Sequence, residues 1–402
     1  MRAEVRLREV LVSVGAGWSP VCESRRPSPD EWGVLKLSAV TSGRFVEGEA
    51  KALTPESRPR PTLELVPGDV LMARANGVRS LVGVACVVRQ VRRRLLLPDL
   101  VFRLKADRDI LHPEFLGIVL GSDAVRRQVD DVMRGSSGQY KISQADVRNL
   151  LVPLPTLVQQ ERIVAAHRAF ERRIGLLERM LAKCKVAEQA LSTRALASKS
   201  HWEHAPVESI AEVTAGVTLG AEPLGDGTVE LPYLRVANVL DGRIDTDDVK
   251  TVRVLATQLE RFALRRGDLL LTEGGDLDKL GRGAVWDGRI TPCLHQNHVF
   301  RVRCGSRMDS HFLALYMASA EGRAYFQRVG KQTTNLASIN STQVKTMVVP
   351  VPPIDEQWRN LEPVRAMRSR SSVLERKIAK LRVLQQSVME DMFNGRGSAA
   401  AA

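Results

Sequence analysis

"VPLPTLVQQERIV" occupies residues 152–164, and "VPVPPIDEQWRNL" occupies residues 349–361. Aligning Pro153 with Pro350 sets an offset of 197, and residues well outside the two stretches keep to it. Phe115-Leu116 falls on Phe312-Leu313, Ser136-Ser137 on Thr333-Thr334, Ile142 on Ile339, Val147 on Val344 and Gln160 on Gln357. Further upstream a two-residue indel moves the offset to 199, which lays "LKLSAVTSGRF" (35–45) on "LRVANVLDGRI" (234–244) and Gly68-Asp69 on Gly267-Asp268. A chance echo would not carry its neighbours along. The chain is one unit of roughly two hundred residues written twice, a period far longer than that of a solenoid.

After the Pro-Gln punctuation each copy loses its glycines and turns into helix-forming sequence. Steps of four and three from Ile163 give His167, Phe170, Ile174, Leu177, Leu181, Cys184, Glu188 and Leu191, a heptad stripe. The second copy gives Val364, Met367, Ser371, Leu374, Ile378, Leu381, Gln385, Val388 and Met392 in the same register, with Glu188 and Gln385 as matched polar interruptions. Each seam could pack onto its own globular domain. Equal length, register and position favour pairing of the two helices with each other, and an antiparallel pair would relate the copies by a pseudo-twofold and hold two heads at a fixed separation.

The sequence ahead of each helix mixes β-branched runs such as "VGVACVVRQV" (82–91) and "HVFRVRC" (298–304) with Gly-Asp turns and short helical stretches. The expected fold is α+β, with two similar globular domains joined by two long helices in an antiparallel coiled coil. The expected boundaries are a first globular domain at 1–152, a central helical region at 153–200, a second globular domain at 201–349, a C-terminal helical region at 350–395 and a disordered tail at 396–402. Pro363, near the start of the second helix, is expected to shorten or kink it.

The chain has 402 residues and a formal net charge of +13, which favours a polyanionic partner. Residues 1–200 hold 33 Lys and Arg against 22 Asp and Glu, whereas residues 201–402 hold 26 against 24, so the excess lies in the first copy. No run of eighteen apolar residues occurs and the first ten residues are charged, so no membrane partner is expected. Five scattered cysteines fit a reducing compartment, and the expected location is the cytoplasm.

Donor-rich loops with small neighbours are the candidates for contact with double-stranded DNA. They are "RANGVRS" (74–80) and "GSSGQYKIS" (135–143) in the first copy, and "GGDLDKLGRG" (274–283) and "KQTTNLASIN" (331–340) in the second. The candidate residues are Arg74, Asn76, Arg79, Ser136, Ser137, Gln139, Tyr140 and Lys141, then Lys279, Arg282, Lys331, Gln332, Thr333, Thr334 and Asn335. Arg and Lys suit guanine edges and phosphates, Asn and Gln suit adenine, and hydroxyls serve either. Arg92 and Arg93 in "RQVRRR" (89–94) are further candidates for tracking phosphates, with a solvated hairpin as the plain alternative. The copies agree in framework glycines, prolines and glutamines and differ in these loops.

A segment "IS…V…VPLP…QQERIV" before a long helix, followed by the same arrangement with "IN…V…VPVPP…EQ", resembles the specificity subunits of type I restriction-modification systems. The resemblance covers nearly the whole chain. It implies that each globular domain is a target recognition domain reading one half of an asymmetric bipartite DNA site, and that the paired helices set the gap between the halves. It also implies docking of modification methyltransferase subunits, expected to be two, with restriction subunits outside them. S-adenosylmethionine, ATP and Mg²⁺ would then belong to those partners, and this chain would hold no cofactor, metal or catalytic residue. The "EQWRNL" ending of the second copy departs from the basic "QERIV" of the first.

A DNA-associated enzyme is the main competing class, and its signatures are incomplete in this sequence. "VPPID" (351–355) lacks the leading amide or acid and the aromatic of an amino-methyltransferase motif, and no GxxxxGK[ST] loop occurs. A nuclease-like set can be forced from Asp30, Glu49 and Lys51, and a zinc-like set from Cys293, His295, His298 and Cys304. The spacing of the second set suits a core strand better, because the first copy aligns "LVFRL" (100–104) there with no ligands. A coiled-coil scaffold that organises proteins without reading DNA, and the recognition subunit of a related restriction system, are the competing functions.

Overall fold

A computed structural model describes residues 4–135, 138–220, 225, 227–276, 279–332 and 337–395. Ser136, Ser137, Thr333, Thr334 and Asn335, and the tail at 396–402, lie outside the described residues. The chain divides into two compact units, one of residues 1–179 with 375–402 and one of residues 180–374.

The first unit is built on a four-stranded antiparallel sheet in the order Leu11–Ala16, Val101–Ala106, Val70–Ala73, Ala85–Val87. Val70–Ala73 is buried throughout because both faces of the sheet are covered. Val70, Met72, Phe102 and Leu104 face one core, with helices Pro113–Leu120 and Asp123–Val132, while Leu71 and Val101 face another with Leu35, Val88 and Leu95. That alternation is the two-residue period of a strand. A smaller mixed sheet sets Gly33–Leu35 between antiparallel Ala50–Ala52 and parallel Leu95–Leu96.

The second unit repeats the plan. Its four-stranded sheet runs Ala211–Ala215, Val299–Cys304, Leu269–Thr272, Gly283–Val285, again antiparallel throughout. Leu269, Leu271, Phe300 and Val302 face one core, while Leu270, Ala284 and Val299 face the other. Thr228–Leu234 lies between antiparallel Lys250–Leu255 and parallel Leu294–His295.

The Pro-Gln punctuation is a clamp at the root of each long helix. Gln160 is fully buried: its Oε1 accepts from the His112 backbone N–H at 2.7 Å, and its Nε2 donates to the carbonyls of Ile110 and Pro155, each at 2.9 Å. Gln357 makes the same three bonds, accepting from Asp309 N–H at 2.8 Å and donating to Arg307 and Pro352 at 2.9 and 2.7 Å. His112 and Asp309 are themselves the N-caps of Pro113–Leu120 and Ser310–Met317. A primary amide supplies one acceptor and two donors in this fixed arrangement, which Glu cannot when ionised.

The long helices are Leu157–Leu196 and Ile354–Phe393, of 40 residues each and so about 60 Å long. In the first unit Gln385 donates to Glu171 at 3.1 Å and Arg382 to Glu178 at 2.6 Å. In the second unit Arg368 donates to Glu188 at 2.8 Å and Asn360 to the Ala195 carbonyl at 3.3 Å. An advance along one helix is a retreat along the other in each unit, so the pairing is antiparallel. Ile174, Leu374 and Ile378 of the seam are buried, and Phe170, Leu177, Leu181, Leu381 and Val388 are half-buried. The polar interruptions Glu188 and Gln385 are satisfied across the helix pair.

The helices also pack on the globular cores. Met389 and Phe393 enter the first core, where Phe393 meets Phe115 edge-on at 6.0 Å, a burial worth about 2–3 kcal/mol. Leu361 and Val364 enter the second core beside Leu191 and Leu196. Pairing and docking are thus combined, not alternatives. Pro363 corrects the expectation of a shortened helix, since Ile354–Phe393 continues through it. The flanking Leu361 and Val364 are buried and hold the turn that Pro363 deprives of one hydrogen bond.

Candidate nucleic-acid interface

Loops that lie far apart in sequence meet in short ribbons. In the first unit Ala75–Asn76 pairs with Tyr140–Lys141, Asn76 opposite Tyr140 and Ala75 opposite Lys141. Lys141 also bridges Arg134 on its other side. In the second unit Gly274–Gly275 pairs with Ala337–Ser338, and that strand pairs in turn with Lys331–Gln332. Each ribbon is tied to its sheet in the same way: Ile142 N–H donates to the Arg74 carbonyl at 3.0 Å, and Ile339 N–H to the Glu273 carbonyl at 2.8 Å. Glycine is required where the chain leaves the Arg134 strand. Gly135 has φ of 128°, and a Cβ there would stand 2.1 Å from the Gln139 carbonyl oxygen.

In the first ribbon Gln139 and Lys141 are exposed and Tyr140 is half-buried against the core. Asn76 caps its own turn, accepting from Val78 N–H at 2.8 Å. Arg74 is half-buried, with its guanidinium 5.7 Å from the Phe102 ring centroid and a 3.4 Å bond to the Asp99 carbonyl. Arg79 is exposed and donates to the Asp130 carbonyl at 3.1 Å. In the second ribbon Lys331 and Gln332 are exposed. Lys279 pairs with Asp276, whose carboxyl that ammonium holds below its ordinary range, and Arg282 is half-buried.

Arg92 has a different role from its neighbour. Its Nη1 donates to the carbonyls of Ser28 at 3.3 Å, Pro29 at 3.0 Å and Glu31 at 2.9 Å, which closes the 28–31 loop. Arg93 is exposed. The forced catalytic sets do not assemble. Glu49 accepts from Ser38 at 2.8 Å and pairs with Lys36 and Arg26. Burial pushes the Cys293 thiol up to about 12, His295 Nδ1 serves the Val299 carbonyl at 2.7 Å and His298 pairs with Glu273 at 2.6 Å. Among the described residues no group of three or more His, Cys, Asp or Glu side chains converges as metal ligands would, and no helix is long and apolar enough to cross a membrane.

Known proteins resemble this chain in sequence and in fold. Over 163 residues, 40% of this chain, the sequence is 34% identical to the specificity subunit of the Escherichia coli type I restriction enzyme EcoEI, and the match spans 27% of that protein. Over 396 residues, 90% of this chain, it is 21% identical to the EcoKI specificity subunit of E. coli K12, spanning 82% of it. The fold matches the crystal structure of the type I restriction-modification S subunit of M. genitalium with a TM-score of 0.58 at 12% identity, over 98% of this chain and 96% of that one. No family model matches.

The chain is similar to type I specificity subunits. Within a chain built as a repeat, the offset itself is a tool for finding residues. Lys331 was legible as a candidate, yet its counterpart at offset 197, Arg134, stood one residue outside the loop singled out in the first copy. The structure seats both at the same rung of their ribbons.

Proposed function

We propose that this chain is a specificity subunit reading an asymmetric, bipartite DNA duplex with one ribbon-bearing domain per half-site, and that it acts without catalytic residues of its own. The observation that carries the reading is the convergence, in each unit, of two sequence-distant donor-rich loops into one partly exposed ribbon on a shared framework whose ribbon side chains differ. Phosphate contacts supply affinity in such an interface and groove contacts supply discrimination. The long helices, polar on their outer faces, carry exposed apolar side chains: Leu176, Val383 and Leu384 in the first unit, and Val186 and Trp358 in the second. Two modification methyltransferase subunits on these faces would bring S-adenosylmethionine, and restriction subunits beyond them would bring ATP and Mg²⁺, all in the cytoplasm.

The test is selection from a random duplex library by the full chain in complex with methyltransferase subunits. One interrupted motif with two unlike halves is the expected result. Enrichment of no motif, from a complex that binds DNA, would move the weight to a scaffold that organises proteins without readout.

A further inference from the structure

The two ribbons can be compared rung by rung. At the first rung Arg134, Lys141 and Ala75 lie side by side in one unit, and Lys331, Ser338 and Gly274 in the other. At the second rung Tyr140 and Asn76 stand where the other unit has Ala337 and Gly275. Gly135, next to Arg134, corresponds to Gln332. A charged side chain is retained at a single position of this set, the one held by Arg134 and Lys331. Both are exposed, Arg134 with 71% of its side chain accessible.

Two heads that read unlike half-sites share only what every duplex offers, and that is the phosphate backbone. A side chain kept in charge while its neighbours diverge therefore serves the common element, whereas the diverging neighbours serve the bases. Resting on the function proposed above, we infer that Arg134 and Lys331 are equivalent phosphate anchors that fix each ribbon's register on DNA, and that Asn76, Tyr140 and Lys141 in one unit and Gln332 in the other discriminate bases.

The anchors differ in one respect. Arg134 Nη2 lies 3.3 Å from the Asp146 carboxylate. Asp146 also completes a capping box, accepting from Ser143 N–H at 2.8 Å. Its counterpart Gln343 caps the matching short helix in the same manner, with Asn340 N–H donating to its Oε1 at 2.8 Å, but carries no charge. Lys331 makes no ion pair among the described residues. Arg134 must exchange a carboxylate for a phosphate on binding.

The experiment measures the salt dependence of binding of a random-sequence duplex by the full chain, together with the motif each variant selects. Arg134→Gln and Lys331→Gln are each expected to lower the slope of log K against log salt by about 0.9 and to leave both half-motifs unchanged. Asp146→Gln, which keeps the cap and removes the competing charge, is expected to tighten binding. An unchanged slope in the two anchor variants, or a selected motif altered in one half, overturns the assignment. If the unmodified chain selects no two-part motif, the proposed function itself fails before any variant is compared.

Discussion

The two units share a polar framework down to individual hydrogen bonds, yet part company at their ribbons and in one core. Gln160 and Gln357 make the same three bonds, and Gly68 and Gly267 adopt the same φ of 96° ahead of buried Asp69 and Asp268. Against that constancy, the arginine that reaches the buried aspartate comes from a different strand position: Arg103, opposite Leu71, approaches Asp69 at 3.6 Å, whereas Asp268 is held at 2.8 and 2.7 Å by Arg303, two residues beyond Arg301, the counterpart of Arg103. Leu97, buried in the first unit, is replaced at the matching strand position by His295, equally buried in the second; their carbonyls accept from Trp18 N–H and Val217 N–H respectively. The lesson is a division of labour. Interactions that locate the helices and sheets are held fixed because a buried polar clamp fails if any one partner is lost, while the ribbon carries few framework bonds and is open to change.

The clamps give the largest expected effect. Gln160→Ala leaves three buried backbone groups without partners, at about 1–3 kcal/mol for each, and roughly 3–5 kcal/mol in total is expected. Gln357→Ala should cost the second unit the same within about 1 kcal/mol. Chemical denaturation, with hydrogen exchange to locate the loss to residues 110–120 or 307–317, checks both. A clamp whose removal costs under about 1 kcal/mol would break the equivalence of the two units.

A smaller effect separates the cores. Burial lowers the His295 pKa to about 4, opposed by its hydrogen bond to Val299. The imidazole is therefore neutral in the fold, while in the unfolded chain it takes a proton near its ordinary pKa of about 6.5. Stability of the second unit is full above that value, falls as the pH drops below it and stops falling on this account near 4, where the folded form also protonates. His295→Leu, which copies Leu97, should flatten the curve of thermal midpoint against pH over that window. A variant with the same slope as the parent would remove His295 from the account.

Much of this was legible before any coordinates. The offset of 197 gave the repeat, and the heptad stripe from Ile163 gave the helix pairing, because both are periodic signals that a linear string preserves. The meaning of Gln160 and Gln357 was not legible, although their recurrence was. A single amide bonding to residues about fifty positions away leaves no periodic trace. The same limit hid the ribbons, whose two strands in the first unit lie 65 residues apart, and placed Arg134 outside the loop judged to matter. Arg92 shows the converse: a basic run suggested phosphates, whereas its fork reaches back across about sixty residues to carbonyls of the 28–31 loop. Pro363 was read as a breaker from local propensity, and packing of Leu361 and Val364 overrode it.

The central claim is that readout lives in the ribbons and not in the framework that carries them. Its most direct test grafts residues 331–338 and 273–275 of the second unit onto 134–141 and 74–76 of the first, then repeats the duplex selection with the full chain. The account predicts that one half of the motif changes toward the other while the second half and the gap between them stay as they were. A graft that folds and selects the parental motif, or that alters both halves together, would contradict it.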